Sequence, residues 1–374
     1  NNIGFTFETI PDREKLYAPA YGTLIIEVVD TADLSEALEG TGFYELGHTM
    51  AAPSMVCGQM VATLKEVREA YTKPLEKIFP TSVKTSSRLR ATYMPYTEGC
   101  KTVAAAKIAK PHVFIPVFPG TNCEYDSARA FERAGGETET VIVRNLTPNA
   151  IEETVDALVK GINRSQILML PGGFSGADEP DGSGKFIAAM FRNPRIEEAI
   201  MHLLYRHDGL ILGICNGFQA LIKLGLVPYG EIRPLSLEDP TLTYNTLGRH
   251  VSTMVRTKIV SNLSPWLAGC NVGDEHMIAV SHGEGRFVAD KNLIAKLRMR
   301  GQIATQYVDG NGKATTLLPD NPNGSVEAVE GITSPDGRVL GKMGHSERIG
   351  ENVGRNIPGS KDQHIFESGI AYYA

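Results

Sequence analysis

The sequence predicts an α/β protein with a doubly wound, mostly parallel sheet, preceded by a partial α+β segment. Between residues 111 and 226, short apolar runs alternate with helical patterns, which is typical of βαβ units. Two of these runs end in glycine-rich turns, at 171–176 and 213–217, where open sheets of this class carry their sites. After residue 226 the patterns are mainly those of strands joined by turns.

The elements are predicted in order along the chain. Residues 1–80 form the α+β segment, with a buried strand at 22–29 and a mostly helical stretch at 59–79 that breaks at Pro74. The polar stretch 81–110 is predicted to be a linker, and 111–374 the main domain. The predicted strands of that domain are 113–118, 139–143, 167–170, 209–213, 251–259, 277–280, 302–307, 326–332 and 338–341. Its predicted helices are 127–134, 149–160, 196–206 and 218–224.

Composition excludes several classes of protein. A net charge of −6 gives no basic footprint for nucleic acid, and no run approaches the roughly 20 apolar residues of a membrane span. Five widely spaced cysteines favour a reducing, cytoplasmic location, and nine histidines without metal-ligand spacing predict no metal on this chain. Because the chain starts at Asn1 rather than Met, we expect a processed product or a piece of a longer protein.

Cys215 is the most informative residue. It lies in Gly-Ile-Cys-Asn-Gly, directly after an apolar strand and directly before a helical pattern. At a helix N-terminus, unpaired N–H groups and the positive end of the dipole favour a thiolate. The arrangement is the thiol counterpart of a nucleophile elbow and predicts covalent catalysis.

Two further motifs fit this chemistry. His345 with Glu347 two residues later can form a proton relay, although a surface pair would have the same sequence. Gly172 and Gly173, after the strand at 167–170, can aim backbone N–H groups at a tetrahedral oxyanion together with the N–H of Asn216. Without the other motifs, this pair would be read as an ordinary turn.

Together these motifs resemble a known family. Residues 111–374 resemble the triad (class I) glutamine amidotransferase domain of phosphoribosylformylglycinamidine synthase, which is flavodoxin-like in fold. The stretches that carry the resemblance are FPGTNCEYD (118–126), LPGGFSGADE (170–179), GICNGFQALIKLGLVP (213–228), VSHGEGRF (280–287), NPNGS (321–325) and GKMGHSER (341–348). Residues 1–80 resemble the end of an aminoimidazole-ribonucleotide-synthase-type domain, so the chain resembles the C-terminal portion of the large single-chain type.

The resemblance implies a glutamine-hydrolysing carbon–nitrogen ligase of purine biosynthesis. Cys215, His345 and Glu347 would form the catalytic triad, Gly172, Gly173 and Asn216 the oxyanion hole, and Phe174 and Gln219 the glutamine site. Ammonia would pass to a synthetase region upstream in the same protein, which converts formylglycinamide ribonucleotide to the amidine. ATP and Mg²⁺ would bind there, with no cofactor, nucleic acid or membrane partner on this chain.

Some readings stay open at this stage. Cys123 opens a helix at a strand end and is a rival nucleophile, although a buried inert thiol is the simpler interpretation. Phe218 departs from the small or polar residue of the family and is expected to shape the pocket. His282 is either a contact to the synthetase or a loop histidine, and Arg249 and His250 are unassigned.

Other functions stay open as well. They are a glutaminase of another synthase, a cysteine-elbow hydrolase or chaperone-like relative, and a non-catalytic regulatory docking module.

Overall fold

A computed structural model describes residues 2–374 except 9–11, 13, 15–17, 37, 84–90 and 177–183. The chain divides into two compact units, Asn1–Thr81 and Ser82–Ala374. Residues 82–110, predicted to be a linker, thus group with the second unit; the domain boundaries of the sequence analysis stay a prediction. No helix within the described ranges is long and apolar enough to cross a membrane.

The strands are β1 (Gly4–Phe7), β2 (Gly47–Met50), β3 (Ser54–Cys57), β4 (Met60–Thr63), β5 (His112–Val117), β6 (Glu137–Ile142), β7 (Ile167–Leu170), β8 (Leu210–Ile214), β9 (Thr241–Thr243), β10 (Val251–Ile259), β11 (Glu275–His282), β12 (Arg286–Val288), β13 (Ile303–Tyr307), β14 (Val329–Thr333) and β15 (Val339–Lys342). The helices are α1 (Leu64–Thr72), α2 (Glu124–Arg133), α3 (Pro148–Arg164), α4 (Lys185–Phe191), α5 (Pro194–Arg206), α6 (Asn216–Leu224), α7 (Leu226–Tyr229), α8 (Lys291–Met299) and α9 (Ile365–Ala371).

The N-terminal unit is a small α+β segment, as predicted. Its sheet has the order β2-β1-β3-β4, and α1 follows β4 directly. Helix α1 begins at Thr63 with a capping box, in which Thr63 and Glu66 satisfy each other's backbone N–H groups. The predicted helix at 59–79 is therefore shorter at its start, because Met60–Thr63 pairs with β3 as a strand.

The strand predicted at 22–29 is wrong. The structure has no strand there, and the apolar side chains of this stretch, including Leu24, Ile25 and Val29, are exposed. A strand needs a neighbouring strand to satisfy its backbone N–H and C=O groups, and an apolar pattern does not supply one.

The second unit is built on a nine-stranded sheet of order β11-β10-β13-β14-β15-β8-β7-β5-β6. The five strands from β15 to β6 are parallel, and the four from β14 to β11 continue the sheet antiparallel. The doubly wound, mostly parallel fold class is thereby confirmed. Strands β7 and β8 are buried along their whole length, which explains why they read as continuous apolar runs. Strands β14 and β15 are buried as well, although they include Glu330 and Lys342.

Four helices of this unit were not predicted, namely α4, α7, α8 and α9. Helix α9 buries Ile365 and Phe366, and Phe366 meets Phe131 of α2 in an edge-to-face contact with ring centroids 4.9 Å apart. Helix α8 begins at Asp290, whose side chain accepts from the Leu293 N–H. Helices α4 and α9 have seven residues each and α7 has four, so their apolar positions cover too few turns to reveal a period of 3.6 residues.

Helix α6 packs closely on β15 through one glycine. An added Cβ at Gly341 would lie 2.2 Å from Cδ2 of Phe218, whose ring is fully buried. The ring therefore fills the space that a side chain at position 341 would need. A larger residue at 341 requires a smaller one at 218.

We expect Gly341→Ala to lower the free energy of unfolding by about 1–3 kcal/mol, because the Phe218 ring cannot move without disturbing the core. Phe218→Leu in the same chain should restore part of this loss, which a double-mutant cycle from urea denaturation measures. Gly310→Ala is the matched control, since nothing lies within 4 Å of its added Cβ. Equal effects at both glycines would contradict this account.

Candidate active site

Four parallel strands end at one edge of the sheet and bring the site together. The loops after β5, β7, β8 and β15 carry Cys123, Gly172, Cys215 and His345, respectively. The Cys215 N–H donates to the Lys342 carbonyl at 2.8 Å, which continues the β8–β15 pairing to the point where both loops begin. Residues far apart in sequence thus meet at the carboxyl end of the sheet.

Cys215 lies in a sharp turn with a strained backbone. Its φ is 52° and its ψ −102°, a conformation that L residues rarely adopt. Gly217 makes the turn possible, because an added Cβ there would lie 2.0 Å from the Leu170 carbonyl oxygen. Cys215 is the N-cap residue of α6 and is 5% exposed. Its Sγ lies 3.7 Å from the Ser281 carbonyl oxygen.

His345 and Glu347 form a buried pair. Nδ1 of the imidazole lies 2.6 Å from Oε1 of Glu347. Burial alone would lower the pKa of His345, but the Glu347 carboxylate and hydrogen bonds with the thiols of Cys123 and Cys215 raise it well above its ordinary value. Burial acts to raise the pKa of Glu347, yet the charge and hydrogen bond of His345 give a net lowering. The pair is therefore held as imidazolium and carboxylate.

The predicted oxyanion groups lie beside this pair. The loops after β5 and β7 pair in antiparallel fashion. Phe174 N–H donates to the Gly120 carbonyl and Asn122 N–H to the Gly172 carbonyl. Thr121 and Gly173 lie opposite each other between these two bonds, as a non-hydrogen-bonded pair. In a pair of this type each N–H points away from the partner strand, so the Gly173 N–H does not donate to Thr121. Gly172 packs on the imidazole: an added Cβ would lie 2.7 Å from Cε1 of His345.

Asn216 and Gln219 link α6 to the loops around it. The N–H of Asn216 belongs to the first turn of α6, where no intrahelical acceptor exists. Its side-chain oxygen accepts from the Ser175 N–H at 3.2 Å, and its Nδ2 donates to Oε1 of Gln219 at 3.0 Å. Nε2 of Gln219 donates to the Glu284 carbonyl at 2.7 Å. An amide offers two donors and two acceptor lone pairs, so Gln219 retains capacity for a ligand.

Two phenylalanines near the site behave differently. Phe174 is half-buried next to the glycine pair, and its ring centroid lies 6.0 Å from that of His250. Phe218, expected to shape the pocket, instead points into the core against Gly341. Positions 218 and 219 are neighbours on a helix and face different directions, which explains why only Gln219 reaches the loops.

Cys123 lies at the same sheet edge as Gly172 and Cys215 and contacts His345 and Arg348. Its buried Sγ is 3.8 Å from Nδ1 of His345 and 3.2 Å from Nη2 of Arg348. From the sequence, Cys123 was a rival nucleophile, with a buried inert thiol as the simpler interpretation. Only the sharing of one sheet edge by the loops after β5 and β15 could have indicated this contact.

His282 is buried in a network of asparagines. It is 2% exposed, and burial lowers its pKa to about 3, so that it is neutral. Its Nε2 lies 3.5 Å from Nδ2 of Asn323, and its carbonyl accepts from Nδ2 of Asn245 at 2.8 Å. The network joins HGEGRF to NPNGS, and His282, the last residue of β11, lies buried within it. Nε2 of His250 lies 2.9 Å from Oγ of Ser281, and Arg249 is exposed.

Two groups of possible metal donors lie among the residues that the structure describes, and neither has the donor set that magnesium prefers. Cys123, His345 and Glu347 have donor atoms within 4.8 Å of one another, as do Asp362, His364 and Glu367. The first group offers sulfur and imidazole next to the Arg348 guanidinium, whereas Mg²⁺ prefers six oxygens. The second group includes a histidine and lies largely exposed.

Comparison with known proteins agrees with this geometry. Residues 110–373 match the model of the CobB/CobQ-like glutamine amidotransferase domain. The chain is similar to the phosphoribosylformylglycinamidine synthase subunit PurQ of Methanococcus maripaludis, with 34% identity over 244 residues, which are 64% of this chain and 82% of that protein. The PurQ subunit of Rubrobacter xylanophilus is 31% identical over 241 residues, covering 64% and 90%.

A solved structure shares the fold. A chain in the structure of PurLQS from Thermotoga maritima matches with a TM-score of 0.50 and 26% identity, over 71% of this chain and all of that one. These relatives confirm the expected activity and do not favour the other functions considered; the large single-chain type stays a prediction. The chain belongs to the CobB/CobQ-like glutamine amidotransferase family and carries the glutaminase part of phosphoribosylformylglycinamidine synthase, a glutamine-hydrolysing ligase of purine biosynthesis.

Proposed function

We propose that Cys215 is the nucleophile of this glutaminase, His345 its proton carrier and Glu347 the carboxylate that orients the imidazole. One observation carries the proposal: a strained thiol elbow and a buried His–Glu pair with a 2.6 Å bond lie at the same sheet edge. A nucleophile, a base and an orienting group in this order constitute a triad by geometry.

The reaction proceeds in two steps. Sγ of Cys215 attacks the carbonyl carbon of the glutamine side-chain amide, and the oxyanion accepts from the N–H groups of Gly173 and Asn216, with Gly172 beside them. The C–N bond breaks as His345 gives its proton to the departing ammonia, which leaves a thioester. Water then attacks the thioester and gives a proton to His345. The C–S bond breaks, Sγ leaves as the thiolate, and glutamate is released.

Phe174 and Gln219 hold glutamine in this proposal. The Gln219 amide is fixed by Asn216 and the Glu284 carbonyl, so it is oriented before glutamine arrives. Phe174 follows the glycine pair directly and offers an apolar surface next to it. An oriented amide and a ring edge suit the polar and methylene parts of a glutamine side chain.

The ammonia acceptor lies in a synthetase region upstream in the same protein, which supplies ATP and Mg²⁺. The relatives are synthase subunits by name, and the match to a PurLQS structure agrees with a synthetase partner. The exposed apolar stretch 22–29 supports a further part of the synthetase packing on the N-terminal unit. Five free cysteines suit a cytoplasmic location.

Cys215→Ala should reduce ammonia release from glutamine by about 10⁴-fold or more, because the covalent step is lost. Acivicin, a glutamine-mimicking electrophile, should label wild type at Cys215 and leave this variant unlabelled by mass spectrometry. Cys123→Ala is the matched control and should still be labelled at Cys215. Labelling that disappears with Cys123 and persists without Cys215 would refute the assignment.

Glu347→Gln should move the alkaline limb of the kcat/KM profile to lower pH. The carboxylate raises the pKa of His345, so the imidazolium that protonates ammonia persists to higher pH in the wild type. An amide removes this charge, and His345 then loses its proton earlier as pH rises. We also expect a loss of roughly 10²-fold or more at the optimum. An unshifted limb would argue against the proton role of His345.

The acceptor can be tested with the synthetase region supplied. Together with ATP and formylglycinamide ribonucleotide, wild type should support product formation from glutamine. Cys215→Ala should support it only from added ammonium salt, because its acceptor chemistry is intact. Product formation from glutamine by this variant would contradict the proposal, and failure with ammonium would contradict the acceptor.

A further inference from the structure

A buried ion pair lies directly beneath the loop that carries His345. Nζ of Lys342, the last residue of β15, is 3.3 Å from Oε1 of Glu330 on the adjacent strand β14. Both residues are 1% exposed. Removing two charges from water is costly, and apolar replacements of buried pairs are often as stable. Stability alone is therefore a weak reason for this pair.

The hydrogen bonds of the pair point to a role in the loop. Nζ of Lys342 donates to the Gly344 carbonyl at 2.8 Å and to Oγ of Ser346 at 2.9 Å. These are the residues immediately before and after His345. Oε1 of Glu330 accepts from the Gly344 N–H at 2.6 Å. The ammonium and the carboxylate thus hold both polar groups of the Gly344 backbone and one side chain beyond His345.

Other contacts complete the anchor. Oγ of Ser346 also donates to Oε1 of Gln363 at 2.6 Å, so the side chain between His345 and Glu347 is directed away from them. The His345 N–H donates to the Ala279 carbonyl at 2.8 Å on β11. Oε2 of Glu330 accepts from Oγ1 of Thr305, which keeps the carboxylate itself in place.

We propose that Lys342 and Glu330 are positioning residues that fix the His345 loop, so that the imidazole stays in line with Cys215. The inference rests on the proposed roles of His345 and Cys215. The partners of the Lys342 and Glu330 side chains are Gly344, Ser346, Thr305 and each other, and not the Cys215 thiol or the oxyanion groups. Loss of the pair should therefore slow the chemical step and leave glutamine binding unchanged.

The central test is the double variant Glu330→Gln/Lys342→Met. A single change would leave a buried charge without its partner, whereas the double variant removes both charges and retains an acceptor for Gly344. We expect a Tm close to wild type, an unchanged KM for glutamine, and kcat per acivicin-titrated site lower by about 10–100-fold. A structural role alone would reduce the number of titrated sites, not kcat per site.

Two further variants make the result decisive. Lys258→Met/Glu275→Gln removes a matched pair, 3.0 Å apart and partly exposed, and should leave kcat unchanged. Ser346→Ala removes one anchor at little cost to folding and should lower kcat several-fold at constant KM. If the double variant keeps wild-type kcat, or does not fold and Ser346→Ala keeps wild-type kcat, the inference is overturned. Activity in Cys215→Ala would instead overturn the proposed function.

Discussion

The parallel pairing of β15 with β8 is the constraint on which the site depends. Its register places Lys342 opposite Ile214. Strand β8 therefore ends directly before Cys215, and β15 ends three residues before His345. The position of the imidazole relative to the thiol is therefore set by backbone hydrogen bonds between two fully buried strands. Loops placed at the end of such strands inherit their rigidity, which is what a nucleophile and its base require.

The site concentrates charge in a dry environment by pairing each charged group. His345 faces Glu347, Lys342 faces Glu330, and the Arg348 guanidinium contacts the Cys123 thiol. In a medium of low dielectric these contacts are stronger than in water, and an unpaired member would be costly. Pairing thus allows a short segment to carry three buried ionisable side chains, Lys342, His345 and Glu347.

Sequence patterns revealed the central fold because buried parallel strands are continuous apolar runs and their turns need glycine, as at 213–217. They singled out Cys215, His345 and Glu347 as candidates because each lies in a compact motif. They did not reveal the contacts of Cys123 or the Lys342–Glu330 pair, since these join positions on different strands and depend on register. The strand at 22–29 was wrong because an apolar pattern does not show whether a pairing strand is present.

The backbone of Cys215 has a consequence for evolution of the site. A φ of 52° with a ψ of −102° suits glycine better than any residue with a Cβ, so the wild-type residue is a thermodynamic burden on its own fold. Selection for folding alone would favour glycine at this position, so a cysteine there agrees with the nucleophile role proposed for it. A relative with glycine at this position would have an unstrained turn there, and its fold would be more stable to heat.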